Sequence, residues 1–358
     1  MLSIPERNET IYQVILNTIK KDSDYRLLVE FGYFKYQIFP ELNEKGDTKK
    51  VIMAFKSKDF KNIYNYSGKK FLENEFKNYE IEENIKFQNE RFDIGIKVNL
   101  EKYIKLKERK KKSKEENNTL TEEEKRKKKE EEKPLREEFK KFALETAEKF
   151  STFRIKLYSS VLNQMLLDVQ KGVKVSTFEL NLNSTNKLFI LPFQDRIQLI
   201  YGIDFSQPTD VSLAKIFLQE LEESKRHVKN CIGAKCYAEN DNVIPNHIIN
   251  VTKPKDYSNN LVVFDLYVKD YETIKNKFSY FITFREYIQF HIHSIKTFLH
   301  IKMNKKGKEL EQKLNNCKIV PDEYLTNLEI INFYTNWNKK EENIKLFNKE
   351  SKKLNNNI

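Results

Sequence analysis

The chain has 358 residues, 39% hydrophobic and 13% aromatic, enough material for about two domains of ordinary size that each bury a core. Charged residues make up 33% and the net charge is +12, which points to a soluble protein with an anionic partner: nucleic acid, an anionic membrane or an acidic protein filament. Three unevenly spaced cysteines, Cys231, Cys236 and Cys317, speak against a disulfide scaffold, and the absence of a bilayer-length apolar run or a signal peptide speaks against a membrane or secreted protein.

In chain order, an opening helix is expected over Asn8 to Lys20, then β-branched and aromatic runs at 25–31, 34–39 and 50–56 that read as strands. Helical residues follow from Lys58 to Phe76, then a strand from Phe92 to Val98 and a long helix from Pro134 to Gln170. In that helix Phe139, Phe142, Phe150, Phe153, Leu157 and Val161 keep three-and-four spacing. Pro134 suits its first turn, and Gly172 suits the residue just past its end. The second half repeats the order. Strands at 174–182, 186–193 and 195–205 precede a helix at about 210–225, a strand from Leu261 to Lys269 and a long helix from about 271 to 315. Strands first and a long helix last, twice, predict an α+β fold of two similar domains, each an antiparallel sheet covered by a long terminal helix. The domains are placed at 1–171 and 172–320, with a C-terminal extension over 321–358 that holds the single tryptophan, Trp337.

Residues 102–133 interrupt this order with 14 basic and 9 acidic residues and almost no apolar side chains, so they read as a charged insertion without a core. Disorder is the favoured reading. Thr121 with Glu124 makes a capping box, and Glu122, Glu123 and Glu124 precede Arg126, Lys127 and Lys128 by four residues, which would support a solvated helix over part of the segment. The runs Lys107 to Lys114 and Lys125 to Lys129 also fit the pattern of nuclear import signals, leaving a nuclear fraction open beside a cytoplasmic site.

The last long helix has two apolar faces. Ile274, Phe278, Phe281, Ile288, Ile292, Ile295 and Leu299 form one stripe at helical spacing. Tyr280, Phe284, Tyr287, His291, Phe298 and Ile301 form a second stripe at the same spacing, out of step with the first. A helix that covers its own sheet needs one such face. The second is expected to meet a partner subunit, because a large exposed apolar strip is either an interaction site or a liability.

Phe284, Arg285, Tyr287, His291, Ile292, Lys296, His300, Met303 and Lys306 stand where the same residues occur in the C-terminal helix of subunit 2, the 34-kDa subunit, of the actin-related protein 2/3 complex. Upstream, Lys215, Phe217, Gln219 and Glu220 within Asp210 to Lys225 are in register with that family, the strand Asp195 to Phe205 resembles its counterpart, and Gly46, Asp47, Thr48, Lys50 and Val51 resemble a family turn. The resemblance implies two α/β domains whose long helices pack against a smaller homologous partner, subunit 4. It also implies that the assembled complex is clamped to the side of a mother actin filament during branched nucleation. The basic candidates for that contact are Arg285, Lys296, Lys302, Lys305 and Lys306, in a stretch where residues 296–308 hold no acid. Lys302 replaces a family arginine, and Phe193 and Gln194 stand where the family has adjacent lysines.

Catalytic chemistry finds little footing. His291 and His293 are two apart and point away from each other on a helix, and His227, Cys231 and Cys236 lack a second matching pair for zinc. There is no phosphate-binding glycine loop among eight glycines. The expectation is a non-enzyme with no metal and no cofactor, partnered by complex subunits and actin filaments rather than a membrane, with nucleic acid as the alternative partner.

Overall fold

The computed structural model describes residues 7–21, 26–30, 33–42, 44, 48–87, 89–103, 122–183, 186–205, 207–227, 232–238, 244–252 and 260–316, with only the backbone of 21, 122–132, 225, 260 and 316 among them. The run Lys107 to Lys114, the Gly46 and Asp47 turn, Cys231, Cys317 and the extension 321–358 with Trp337 lie outside the described residues. Two compact units are distinguishable, Met1–His293 and Ser294–Ile358.

The first unit contains two five-stranded sheets, each fed by its own half of the chain. In the first half α1 (Glu9–Lys21) leads to β1 (Arg26–Glu30), β2 (Phe34–Leu42) and β3 (Thr48–Lys56). Next come α2 (Phe60–Ile63), a π-helical turn (Tyr64–Gly68), α3 (Lys69–Glu75), β4 (Glu80–Glu83), β5 (Lys86–Phe87), β6 (Glu90–Arg91) and β7 (Ile94–Asn99). The half closes with α4 (Glu122–Ser151) and α5 (Phe153–Gln170). The second half runs β8 (Phe178–Asn181), β9 (Lys187–Pro192), β10 (Arg196–Ile203), α6 (Pro208–His227), β11 (Ala234–Ala238), α7 (Asn246–Val251) and β12 (Asn260–Tyr267). It ends with α8 (Tyr271–Ile274), α9 (Phe278–Ile282) and α10 (Phe284–Asn316), the last crossing into the second unit.

Every described pairing is antiparallel, and the strand orders are β1-β2-β3-β7-β4 and β8-β9-β10-β12-β11. Strands at matching positions in the two halves therefore occupy matching places in the two sheets, which is the α+β arrangement the sequence predicts. The apolar inner faces explain the pairing. Tyr36, Ile38, Met53, Phe55, Ile94 and Ile96 in the first sheet, and Leu188, Ile190, Leu199, Tyr201, Val262 and Phe264 in the second, join one buried cluster with α1, α5 and α9. Alternation in a strand sends the remaining residues outward, and each outer face has its own cover. Ile85 and Phe92, flanking the β5–β6 hairpin, close over Phe39, Ile52 and Ala54, while Ile248 of α7 closes over Phe189, Ile200 and Val263. Gly95 lies close beneath that hairpin: a Cβ there would come within 2.9 Å of the Ile85 side chain, which would have to shift.

Both long helices bend at a threonine followed by Phe-Arg. Thr152 donates its hydroxyl to Glu148 O at 2.9 Å, and Thr283 donates to Ser279 O at 3.0 Å. Such side-chain bonding to the carbonyl four residues back bends a helix without ending its ladder. The ladder continues through Lys156 N to Thr152 O and Tyr287 N to Thr283 O, both 3.0 Å. The phenylalanine after each threonine enters the core: Phe153 lies 5.2 Å from Phe55, and Phe284 lies 5.1 Å from Tyr201.

The structure differs from the sequence expectation at three points. The first long helix begins at Glu122, not at Pro134, which lies inside it. The four-residue spacing of glutamates and basic residues supports a solvated helix ahead of the proline, which removes only one backbone donor. The last helix is not continuous from 271, because a 3₁₀ turn at Lys275–Lys277 and the bend at Thr283 divide it. Tyr103, assigned to the charged insertion, is buried against Phe139 and Phe142 at 4.9 and 5.3 Å. Gly172 is where the sequence placed it. Its φ is +71°, and Gly172 N and Val173 N bond back to Val169 O and Asp168 O, which closes α5.

Candidate functional site

Helix α10 carries most of the candidate residues, and its character changes along its length. In the first unit, Ile288 and Ile292 are buried, Tyr287 and His291 are half-buried, and both rings pack on Phe217 of α6. The His291 ring stacks on Phe217 at 5.5 Å with an interplanar angle of 18°. In the second unit the apolar residues are exposed. Ile295, Leu299, Met303, Leu310 and Leu314 follow one another at three-to-four-residue spacing or its multiple, and Phe298 and Ile301 stand on a second line. Met303 is 69% exposed and Ile301 64%.

This placement redraws the two stripes. Phe284, assigned by sequence to the partner-facing stripe, is only 7% exposed, with its ring 4.9 Å from Phe264. Phe284 lies three residues after Phe281 and four before Ile288, so helical spacing itself places it on the face of those two buried residues and in the chain's own core. Ile295 and Leu299, assigned to the inward stripe, are exposed. Tyr280, Phe298 and Ile301 are exposed. The outward position of Leu310 and Leu314 was not singled out from sequence, although their spacing from Met303 carries the signal.

The basic residues fall into two kinds. Arg285 is half-buried, with its guanidinium 5.9 Å over the Phe205 ring. Burial lowers its pKa from the ordinary value, against the opposing charges of Glu286 and Asp204. It is a residue of a packed corner. Lys302, Lys305, Lys306 and Lys308 are exposed, and Lys302 Nζ lies 4.5 Å over the Phe298 ring, joining a basic and an apolar candidate on one helix surface. Lys296 is half-buried.

Beside Arg285, Glu286 reaches into the first half of the chain. Arg154, almost fully buried on α5, pairs with Glu30 at 2.9 Å and lies 3.8 Å from Glu286. Glu30 also accepts hydrogen bonds from Asn8 Nδ2 and the Tyr36 hydroxyl, both at 3.0 Å. Burial pushes the Glu286 carboxyl up, while Arg154 and Arg285 hold it down. The base of α10 is thus fixed through charges drawn from both halves of the molecule.

Elsewhere the described chemistry is that of a folded interior or a charged surface. Burial pushes the Cys236 thiol up to about 12, and its Sγ lies 3.5 Å from Leu218 O. This is a neutral thiol, not a nucleophile. Among the described residues no three His, Cys, Asp or Glu side chains gather where they could hold a metal ion, and no helix is long and apolar enough to cross a membrane. A cleft of about 830 Å³ lies beside β11 and the end of β12, lined by both basic (Arg226, Lys235, Lys269) and acidic (Glu222, Asp265, Asp270) residues.

The family profile described as "Arp2/3 complex, 34 kD subunit p34-Arc" matches residues 53–321, three quarters of the chain. Among curated proteins, "Actin-related protein 2/3 complex subunit 2" of Dictyostelium discoideum is 24% identical over 142 residues, covering 40% of this chain and 48% of the relative. The chain therefore aligns with about half the length of that relative.

Proposed function

Because the chain belongs to the family of p34-Arc, the 34-kDa structural subunit of the Arp2/3 complex, we propose that it is a non-catalytic scaffold of such a complex. It pairs through α10 with the smaller subunit 4 and binds the side of a mother actin filament during branched nucleation. The observation that carries this reading is the exposed apolar surface of residues 294–316. Seven large apolar side chains in the open on one helix are costly in water and productive against a second helix. The nearby lysines suit an acidic filament. Lys302, Lys305, Lys306 and Lys308 would steer docking and make it sensitive to salt. Arg285 and Phe284 act from inside, fixing the helix base from which the exposed residues are presented. The domains divide at Gly172, and the site of action is the cytoplasmic actin cytoskeleton.

The test is in two parts. Co-expression with a small helical subunit should give a stoichiometric pair that Ile301→Asp with Met303→Asp dissolves while the chain itself stays folded. Within the assembled complex, Lys302→Glu, Lys305→Glu and Lys306→Glu together should lower actin co-sedimentation at least tenfold at low salt. Filament binding that is unchanged across salt concentrations would remove these lysines from the contact.

A further inference from the structure

The two sheets have matching edge strands, β1 and β8, and the molecule treats them differently. Their correspondence can be followed residue by residue. Leu28 pairs with Tyr36 and Tyr36 with Phe55 across β1, β2 and β3; Leu180 pairs with Leu188 and Leu188 with Tyr201 across β8, β9 and β10. Phe55 and Tyr201 in turn meet the phenylalanines of the two Thr-Phe-Arg bends. Leu28 thus corresponds to Leu180, and Val29 to Asn181.

On β8 the outer edge is occupied from within the chain. Asp59, buried at the start of α2, accepts the Asn181 backbone N–H at 2.7 Å and the Asn181 Nδ2 at 2.6 Å. The first half therefore caps the edge of the second half. On β1 no described residue occupies the counterpart edge. Among the described residues β1 pairs only with β2, and Leu27 and Val29, on the outer face, are 50% and 54% exposed. Alternate residues of an edge strand direct their backbone N–H and C=O away from the sheet. Asn181 is such a residue, so Val29 and Leu27, two positions away, are too.

The chemistry of the edge selects its occupant. Asn181 offers two donors to one carboxylate, whereas Val29 offers only its N–H, so a lone acidic side chain would gain half as much there. An extended backbone instead bonds several outward groups at once and lays its own side chains on Leu27 and Val29. Arg26, exposed at the start of the strand, adds a positive charge.

We propose that the β1 edge, Arg26 to Glu30, is a docking site for an extended segment of a partner protein, added as a further strand, with apolar residues at alternate positions and a carboxylate near Arg26. The full chain is titrated with a fluorescent synthetic decapeptide carrying valine at every second position and aspartate and threonine between, and amide exchange is followed alongside. Binding should slow exchange at Leu27 and Val29 at least tenfold and leave Asn181 unchanged. Val29→Pro, which removes the outward donor, and Leu27→Lys, which keeps it but places a charge on the apolar patch, should each weaken binding about tenfold. Unchanged exchange at Leu27 and Val29, or wild-type affinity in both variants, overturns the proposal. So does a concentration-dependent dimer that protects the same amides without peptide, which would make the occupant a second copy.

Discussion

Arg154 and Arg285 follow the same Thr-Phe pair on corresponding helices, yet one is almost fully buried between two carboxylates and the other is half-buried over a phenylalanine ring. The difference lies in what each half of the chain packs against. Arg154 has Glu30 of β1 beside it and Glu286 of the second half across from it, so its charge is met from both sides. Arg285 has its own neighbour Glu286 and Asp204, and burial still lowers its pKa. The same local device thus serves in the first half as a bolt between halves, and in the second as the foot of the helix that leads to the exposed surface.

The largest effect expected from this comparison is at the phenylalanines. Phe153 touches Phe55, Phe71 and Phe76 at ring distances of 5.2 to 6.4 Å and is fully buried. Phe153→Ala should cost about 4 kcal/mol of stability in urea unfolding, from lost burial and the cavity left behind. Phe284→Ala, nearer the surface, should cost about 3 kcal/mol. An equal or reversed order would mean that the two bends are energetically interchangeable. Next come the arginines. Removing the Arg154 side chain strands Glu30 and Glu286, so Arg154→Ala should cost about 3 kcal/mol, whereas Arg154→Met together with Glu30→Gln should recover part of it. Arg285→Ala should cost about 1 kcal/mol.

These contrasts mark what the sequence could convey. Ile288 and Ile292 on the buried face of the last helix and the apolar faces of the strands were legible because burial imposes periodicity, and Gly172 was legible because its backbone demands a positive φ. The bends were not. Thr152 and Thr283 are ordinary helical threonines in a linear pattern, and their effect depends on a hydroxyl turning back to a carbonyl in the folded helix. Phe284 was misplaced for a different reason: its spacing from Phe281 and Ile288 puts it on the buried face, and that spacing was passed over. The cover of the first sheet and its edge strand β4 were also hidden. The β5–β6 hairpin has two strands of two residues each, and β4 is four residues of mostly charged sequence. Such short elements carry no period. The β1 edge was invisible for another reason: Leu27 and Val29 read as ordinary strand residues until the matching strand is seen to be capped by Asp59.

The smallest expected effect concerns pH, and it separates Glu286 from the other buried carboxyls. Burial raises its pKa above the ordinary 4.5, with Arg154 and Arg285 opposing and Glu30 adding to the rise. A carboxyl whose folded value is raised contributes most when protonated, below 4.5, and that contribution is lost as pH climbs through the folded value. Asp59 and Asp93, also raised chiefly by burial, act in the same direction. Wild type should therefore gain relative stability as pH falls from neutral toward 4.5, before general acid unfolding intervenes. Glu286→Gln keeps the shape of the side chain and removes its titration, so the Tm of this variant should rise less over the same interval. Identical slopes in the two proteins would assign the pH response to Asp59 and Asp93, and would leave the Arg154 bolt dependent on Glu30 alone. A shallower slope in Glu286→Gln, with Arg285→Ala steepening it by removing an opposing charge, would show that the foot of α10 and the first half of the chain titrate as one cluster.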